Sequence, residues 1–145
     1  MGSPAPGRDV RFSVDTDGPT TVHDVTDRVA AALPADAAGL ATVFVRHTTA
    51  GLFVNEPEPR LLSDFEAFLE DVVPDGGWQH DRIDDNADAH LRAGLLGADV
   101  TAPVAGGEPD PGRWQAVLLA DCDGPRTRTV DVRLHGGSGE DGEHG

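Results

Sequence analysis

The stretch that most constrains the fold is residues 114–122, which is almost continuously apolar and ends in Ala120-Asp121-Cys122. A run of this kind predicts a strand buried on both faces, because a half-exposed strand would alternate apolar and polar residues. A small two-layer domain with few helices has difficulty covering both faces of such a strand by itself. A neighbouring subunit could supply the cover, so the run favours a homo-oligomer.

The rest of the chain predicts an α+β fold with antiparallel strands. Val10, Phe12 and Val14 alternate with polar residues as in a half-buried strand, and residues 20–23 return as its hairpin partner. The dipeptide Asp123-Gly124 predicts a hairpin turn between the last two strands. Further strands are predicted at 40–45, 52–54, 100–104 and 130–134, and helices at 27–33, at 59–73 and from Ala87 to Gly97. This order favours sheets that have helices on one side.

The length of the chain favours one domain that folds without disulfides. The 145 residues divide into a flexible N-terminus at 1–7, a single domain at 8–135 and a disordered, acidic, glycine-rich tail at 136–145. A single cysteine, Cys122, allows no disulfide within one chain. Neither a signal peptide nor a membrane span is evident in the sequence, so we expect a soluble, cytoplasmic protein.

The charge of the chain is strongly acidic. There are 26 acidic residues and 11 basic ones, giving a formal charge of −15, and every basic residue is an arginine. Such a surface repels phosphate backbones and anionic membranes, which argues against nucleic acid and membrane partners. Self-repulsion at this density is screened in molar salt, so the composition is typical of a protein from a high-salt cytoplasm.

The segment from His80 to His90 contains the densest cluster of candidate ligand groups. Two imidazoles bracket four carboxylates and the amide of Asn86 within it. This set of nitrogen and oxygen donors suits a divalent cation, or a phosphate held through one, although a solvated acidic loop has the same composition. A third histidine, His47, follows a buried strand, and His90 lies on the same helical face as Leu91 and Leu95, which we expect to point toward the protein body.

Five short motifs occur in order between Val10 and Leu134 and together resemble the YjbQ family of secondary thiamine-phosphate synthases. They are His47-Thr48-Thr49-Ala50-Gly51 with Asn55-Glu56; His80 with Asp85-Asn86-Ala87-Asp88-Ala89-His90-Leu91; Gly107 and Gly112; Trp114-Gln115; and Gly124-Pro125-Arg126. The resemblance implies an α+β subunit that contains an antiparallel β-sandwich of about seven strands in two sheets, with two to three helices. It also implies a homotrimer with orthogonally packed sheets.

The same resemblance implies a metal-dependent site with weak thiamine-phosphate synthase activity. In that reaction a phosphorylated thiazole attacks a pyrimidine diphosphate and pyrophosphate leaves, so a divalent ion (zinc or magnesium) and arginine would neutralise the leaving group. The predicted metal ligands are His47, His80 and His90. The predicted catalytic residues are Glu56, Asp85 and Asn86, and the predicted substrate-binding residues are Arg126, Arg46, Thr48 and Gln115.

Two other functions fit the same residues. A metal-assisted phosphohydrolase would use water in place of the thiazole as the nucleophile. A non-catalytic trimer would use the histidines as a structural metal site or would bind a small phosphorylated ligand. The expected partners are therefore further copies of the chain in a homotrimer and a small phosphorylated ligand.

Overall fold

A computed structural model describes residues 9–136 as eight strands and three α-helices. The predicted flexible N-terminus at 1–7 lies outside these residues, as does the predicted tail apart from Gly136. The strands are β1 (Asp9–Asp15), β2 (Thr21–Asp24), β3 (Gly39–Val45), β4 (Ala50–Asn55), β5 (Asp99–Ala105), β6 (Glu108–Pro109), β7 (Ala116–Asp121) and β8 (Thr127–His135). The helices are α1 (Thr26–Ala31), α2 (Pro59–Val72) and α3 (Ala87–Leu96), and a 3₁₀ turn covers Gln79–Arg82.

The strands form two antiparallel sheets that pack against each other. The larger sheet has the order β1-β8-β3-β5-β6, and the smaller has the order β2-β7-β4. Side chains from both sheets fill the core between them, including Val43 of β3, Leu52 of β4, Leu119 of β7 and Val132 of β8. The α+β sandwich expected from the sequence is therefore confirmed.

The apolar run at 114–122 forms strand β7, which is buried on both faces within a single chain. Every residue of β7 is buried. One face belongs to the core between the sheets, whereas Leu118 and Ala120 pack in a second core with Leu69 of α2 and Ala89 of α3. The expectation that the domain has difficulty covering both faces of this strand by itself is thus wrong, because the helices form a third layer over the smaller sheet. The strand also begins later than predicted, since Trp114 is exposed.

Both predicted hairpins are wrong, although the strands themselves are present. The strand β1 pairs with β8, whereas β2 pairs with β7 in the other sheet. The turn at Asp123-Gly124 passes from the smaller sheet to the larger one instead of reversing a strand. Glycine is needed at position 124 because a Cβ there would lie 2.3 Å from the carbonyl oxygen of Gly18.

Local sequence signals mark the start of helix α2 and the end of helix α3. Glu58 caps α2 by accepting from the backbone nitrogens of Arg60 and Leu61, and Pro59 occupies the first turn. Gly97, with φ of 96°, follows α3. Between residues 9 and 136, no helix combines the length and the apolarity required to cross a membrane.

Candidate functional site

A cavity of about 660 Å³ opens where the two sheets and the start of α3 meet. Its walls come from the β3–β4 connection, from the segment that precedes and begins α3, and from the β7–β8 connection. The lining residues are Arg46, His47, Thr48, Thr49, Asp84, Asn86, His90, Asp123, Pro125, Arg126, Thr127 and Arg128. Three arginines and two histidines therefore surround one opening on a chain that is acidic overall.

A buried ion pair forms the floor of this cavity. Arg128 donates to Asp121 over 2.6 Å and to the hydroxyl of Thr49 over 2.8 Å, with side chains that are 2% and 0% exposed for Arg128 and Asp121. Burial raises the pKa of Asp121, but hydrogen bonds from Arg128 and Thr16 outweigh it and leave the pKa below its ordinary value. The Nε–H of Arg128 is buried and has no acceptor among residues 9–136. A buried donor without a partner is costly, so this atom is suited to a ligand oxygen.

His47 is held beside Arg128 as a neutral imidazole. Its Nε2 accepts a hydrogen bond of 2.8 Å from the backbone nitrogen of Thr129. Burial lowers the pKa of His47, and the positive charge of Arg128 lowers it further. With Nε2 acting as acceptor, the neutral ring has its proton on Nδ1. His47 can therefore donate to a ligand without gaining charge.

Two arginines at the rim are anchored to carboxylates. Arg46 pairs through Nε with Asp131, which Arg11 also contacts. Arg126 pairs with Asp123 over 3.3 Å, and Asp123 also accepts from the amide of Asn86 over 3.1 Å. An arginine has five N–H donors, so a carboxylate on one edge leaves others for an anion.

His80 and His90 form a pair at one side of the cavity. Their rings meet edge to face, with centroids 4.7 Å apart. The Nε2 of His80 is buried, lies 3.9 Å from a carboxylate oxygen of Asp84, and has no hydrogen-bond partner within the described chain. His90 lines the cavity directly, whereas His80 lies behind it.

Most of the residues predicted for the site are brought together, and the exceptions lie in identifiable places. Those that line the cavity are Arg46, His47, Thr48, Asn86, His90 and Arg126. Asp85, with φ of 55°, lines a neighbouring cavity instead. Glu56 and Gln115 flank the pair Asn55–Ala116, at the opposite end of the smaller sheet from the pair Ala50–Asp121. Five residue steps along a strand amount to about 17 Å, so neither reaches the cavity within one chain.

The sequence interpretation missed the buried floor, although the sequence contains a signal for it. Arg128 has the same strand parity as Val130, Val132 and Leu134, which all face the core. An arginine on the inward face of a strand needs a buried partner, and Asp121 at the end of the apolar run provides it. Thr49 lies in the first of the five motifs and Asp84 in the segment from His80 to His90, but neither was assigned a role, and Asp123 was interpreted as part of a hairpin turn.

The residues present do not fit a metal ion held by three histidines. Among the residues described, no group of three or more histidine, cysteine, aspartate or glutamate side chains is arranged to hold a metal. His47 uses Nε2 on the backbone of Thr129, which leaves only Nδ1 for another partner. The divalent ion expected at His47, His80 and His90 stays a prediction.

The architecture defines a class of small α+β proteins with a two-sheet sandwich, a helical third layer and an arginine- and histidine-lined cavity. A family described as UPF0047 protein YjbQ-like matches residues 10–137. The chain belongs to this family.

Relatives and solved structures agree with this assignment. The chain is 47% identical over 116 residues to a UPF0047 protein of Methanothermobacter thermautotrophicus, covering 78% of this chain and 81% of that one. It is 32% identical over 102 residues to the UPF0047 protein YugU of Bacillus subtilis, covering 68% and 75%. The crystal structure of the hypothetical protein APE1520 from Aeropyrum pernix superposes with a TM-score of 0.83 at 40% identity, covering 88% of this chain and 98% of that one. A YbjQ-like protein of unknown function from Sulfolobus solfataricus gives 0.80 at 33% identity, covering 88% and 96%.

The expected activity is corrected by these comparisons. The relatives have only the family designation, and the Sulfolobus protein is described as being of unknown function. Nothing in them supports a thiamine-phosphate synthase, and the three histidines do not form the metal site that such a transferase was expected to use. The prediction of a metal-dependent transferase of this type is therefore contradicted.

Proposed function

We propose that the cavity binds a small phosphorylated ligand. The observation that supports this most directly is Arg128, which lines the cavity and has a buried Nε–H without an acceptor in the described chain. Phosphate oxygens are strong acceptors and match the fork of an arginine. Arg46, Arg126 and Arg128 meet at this opening. Each pairs with an aspartate, but the guanidinium groups have further N–H donors for an anion.

The groups around Arg128 complement a phosphate in geometry and protonation. The hydroxyl of Thr48 and the Nδ1–H of His47 are neutral donors, while Arg46 and Arg126 approach from the rim. Because the pKa of His47 is lowered, its contribution does not require acid conditions. Binding through neutral and cationic donors together is expected to persist at neutral and mildly alkaline pH.

Calorimetric titration with inorganic phosphate at constant ionic strength tests this function. Arg126→Gln should weaken phosphate binding by about tenfold or more, because a hydrogen bond to a charged group contributes about 1.5–3 kcal/mol. Arg133→Gln removes the same charge from an exposed arginine that pairs with Asp9, away from the cavity, and is the matched control. Absence of phosphate binding, or equal weakening in both variants, would contradict the proposal.

We also propose that the chain assembles as a homotrimer. The support is the outer face of the larger sheet, where Leu40 and Phe44 of β3 are 49% and 42% exposed. No helix of the described chain packs as a layer over this face, in contrast to the smaller sheet. A second copy of the chain is an occupant of suitable chemistry, because apolar side chains there alternate with the paired charges of Arg46 and Asp131.

Finally, we propose that the lysine-free acidic composition is an adaptation to a high-salt cytoplasm. The support is a formal charge of −15 on 145 residues. Repulsion between such charges opposes a compact state at low ionic strength and is screened in molar salt.

A further inference from the structure

An apolar groove of about 430 Å³ lies between α2 and α3, beside the cavity. It is lined by Val72, Val73, Pro74, Trp78, His90, Leu91, Gly94 and Leu95. Leu91 and Leu95 are 41% and 65% exposed. The expectation that this face of α3 points toward the protein body is thus wrong, since the buried residues of α3 are Ala87, Ala89, Arg92 and Ala93. The exposed apolar side chains form one contiguous depression, and such patches mark binding surfaces.

The two helices are fixed relative to each other, so the groove is preformed. Arg92 of α3 is 4% exposed and donates to the carbonyl oxygens of Leu69, Glu70 and Val73 at the end of α2, over 2.7, 3.2 and 2.6 Å. The Nη1 atom of the Arg92 guanidinium group pairs with Asp88 over 2.8 Å. These bonds satisfy carbonyls that a helix end leaves without partners, and they join α3 to α2. A preformed apolar depression binds a small molecule without first paying an ordering cost.

Trp78 and Gly94 form two further parts of the groove lining. The indole nitrogen of Trp78 donates to the carbonyl oxygen of Pro74 over 2.8 Å, which anchors the ring as a wall. Gly94 forms an open part of the lining, because a Cβ at this position would meet no atom within 4 Å. The space above Gly94 is therefore available to an occupant.

His90 connects the groove to the phosphate cavity. His90 lines both of them, so the two compartments adjoin at this residue. On one side of His90 lie Arg126 and Arg128, and on the other lie Leu91 and Trp78. A ligand that fills both must have a phosphate at one end and an apolar body adjoining it.

We propose that the groove binds the apolar body of a phosphate monoester whose phosphate occupies the cavity, an inference that rests on the proposed function. The volume of the groove suits a single aromatic ring or a short alkyl chain and not a folded macromolecule. The site thereby selects amphiphilic phosphate monoesters over inorganic phosphate. Free phosphate would use the cavity alone.

The test compares inorganic phosphate with phenyl phosphate by calorimetric titration on the full chain and on two variants. Phenyl phosphate should bind about tenfold more tightly than inorganic phosphate, because burying one ring adds favourable apolar contact. Gly94→Leu fills the groove and should abolish that advantage while leaving inorganic phosphate affinity unchanged. The variant is expected to fold, since leucine favours a helix over glycine and no atom obstructs its Cβ.

Ala67→Leu on α2 is the matched control, because it adds the same side chain at an exposed helical position outside the groove. It should retain the preference for phenyl phosphate. The groove inference fails, and the phosphate cavity stands, if inorganic phosphate binds but phenyl phosphate does not bind more tightly. The same conclusion follows if Gly94→Leu still binds phenyl phosphate more tightly than inorganic phosphate. If inorganic phosphate does not bind at all, both proposals fail.

Discussion

His47 and Arg128 both line the cavity, and the charge of Arg128 affects the protonation of His47. Asp121 accepts from Arg128 in a buried pair and so compensates its buried charge. Together with burial, the charge of Arg128 lowers the pKa of His47. The cavity therefore combines one fixed cation in its floor with one neutral donor, and a ligand anion meets both without a change of protonation.

The lowered pKa of His47 predicts a pH dependence of stability. Because folding favours the neutral ring, the unfolded chain binds more protons, so the free energy of unfolding rises with pH in this range. This contribution is fully present above the unfolded pKa of about 6.5 and is lost as the pH falls through the lower folded value. Urea unfolding between about pH 5 and 8 should show a smaller acid loss in His47→Gln than in the parent chain.

The glutamine in this variant retains an acceptor for the backbone nitrogen of Thr129. His135→Gln, which removes an exposed imidazole outside the cavity, controls for the loss of one histidine. Identical pH profiles for the parent chain and His47→Gln would contradict the assignment.

The sequence identified the site residues that lie in polar segments but not those that depend on packing. His47, Asn86 and Arg126 lie in connections, where polar side chains converge on the cavity. Arg128 was missed because its partner Asp121 lies across a connection that had been interpreted as a hairpin. Glu56 was assigned to the site through the family resemblance, yet one strand length of β4 separates it from His47.

At the level of elements, apolar periodicity predicted which segments form strands and helices but not which strands pair. The alternation in β1 indicates a buried face, and β8 satisfies it as well as β2 would. Asp123-Gly124 is a frequent hairpin dipeptide, but here the glycine is selected by close packing against Gly18. Helices on one side of a sheet were predicted, and the third layer over β7 includes the amphipathic helix α2.

Two glycines, one within helix α3 and one packed against it, should respond in opposite ways when alanine replaces them. Gly94→Ala lies inside α3 with open space at its Cβ, so it should raise the free energy of unfolding by about 0.5–1 kcal/mol. Gly51→Ala in β4 would place its Cβ 2.8 Å from the Cβ of Leu96 and 3.0 Å from the carbonyl oxygen of Gly97. Overpacking of this kind should lower the free energy of unfolding by about 1–3 kcal/mol.

Equilibrium unfolding in urea measures the free energy of unfolding of both variants and of the parent chain. Because both variants add one methyl group, each is the matched control for the other. Stabilisation by Gly51→Ala would show that α3 is not packed against β4 as described. Destabilisation by Gly94→Ala would show that the groove is closed in solution.

For the whole molecule, the charge distribution opposes assembly more strongly than it opposes folding. Each chain has a formal charge of −15, so three chains in one trimer repel one another in addition to the repulsion within each. The exposed Leu40 and Phe44 would provide apolar area for the proposed contact between subunits, and the free energy gained by burying them is nearly independent of salt screening. Ionic strength therefore determines which contribution dominates.

Lowering the salt concentration should dissociate the proposed trimer before, or together with, unfolding of the subunits. In molar salt the screening length is about 3 Å and the apolar contact dominates, whereas in about 0.01 M salt it is about 30 Å and the charges of all three subunits interact. Sedimentation velocity and circular dichroism across this range measure assembly and folding separately. A chelator in every sample excludes binding of a divalent ion as the cause, and Phe44→Ser should shift dissociation to higher salt by removing apolar contact from the outer face of the larger sheet. An intact, folded trimer at about 0.01 M salt would contradict the high-salt adaptation, and a monomer at every salt concentration would contradict the assembly.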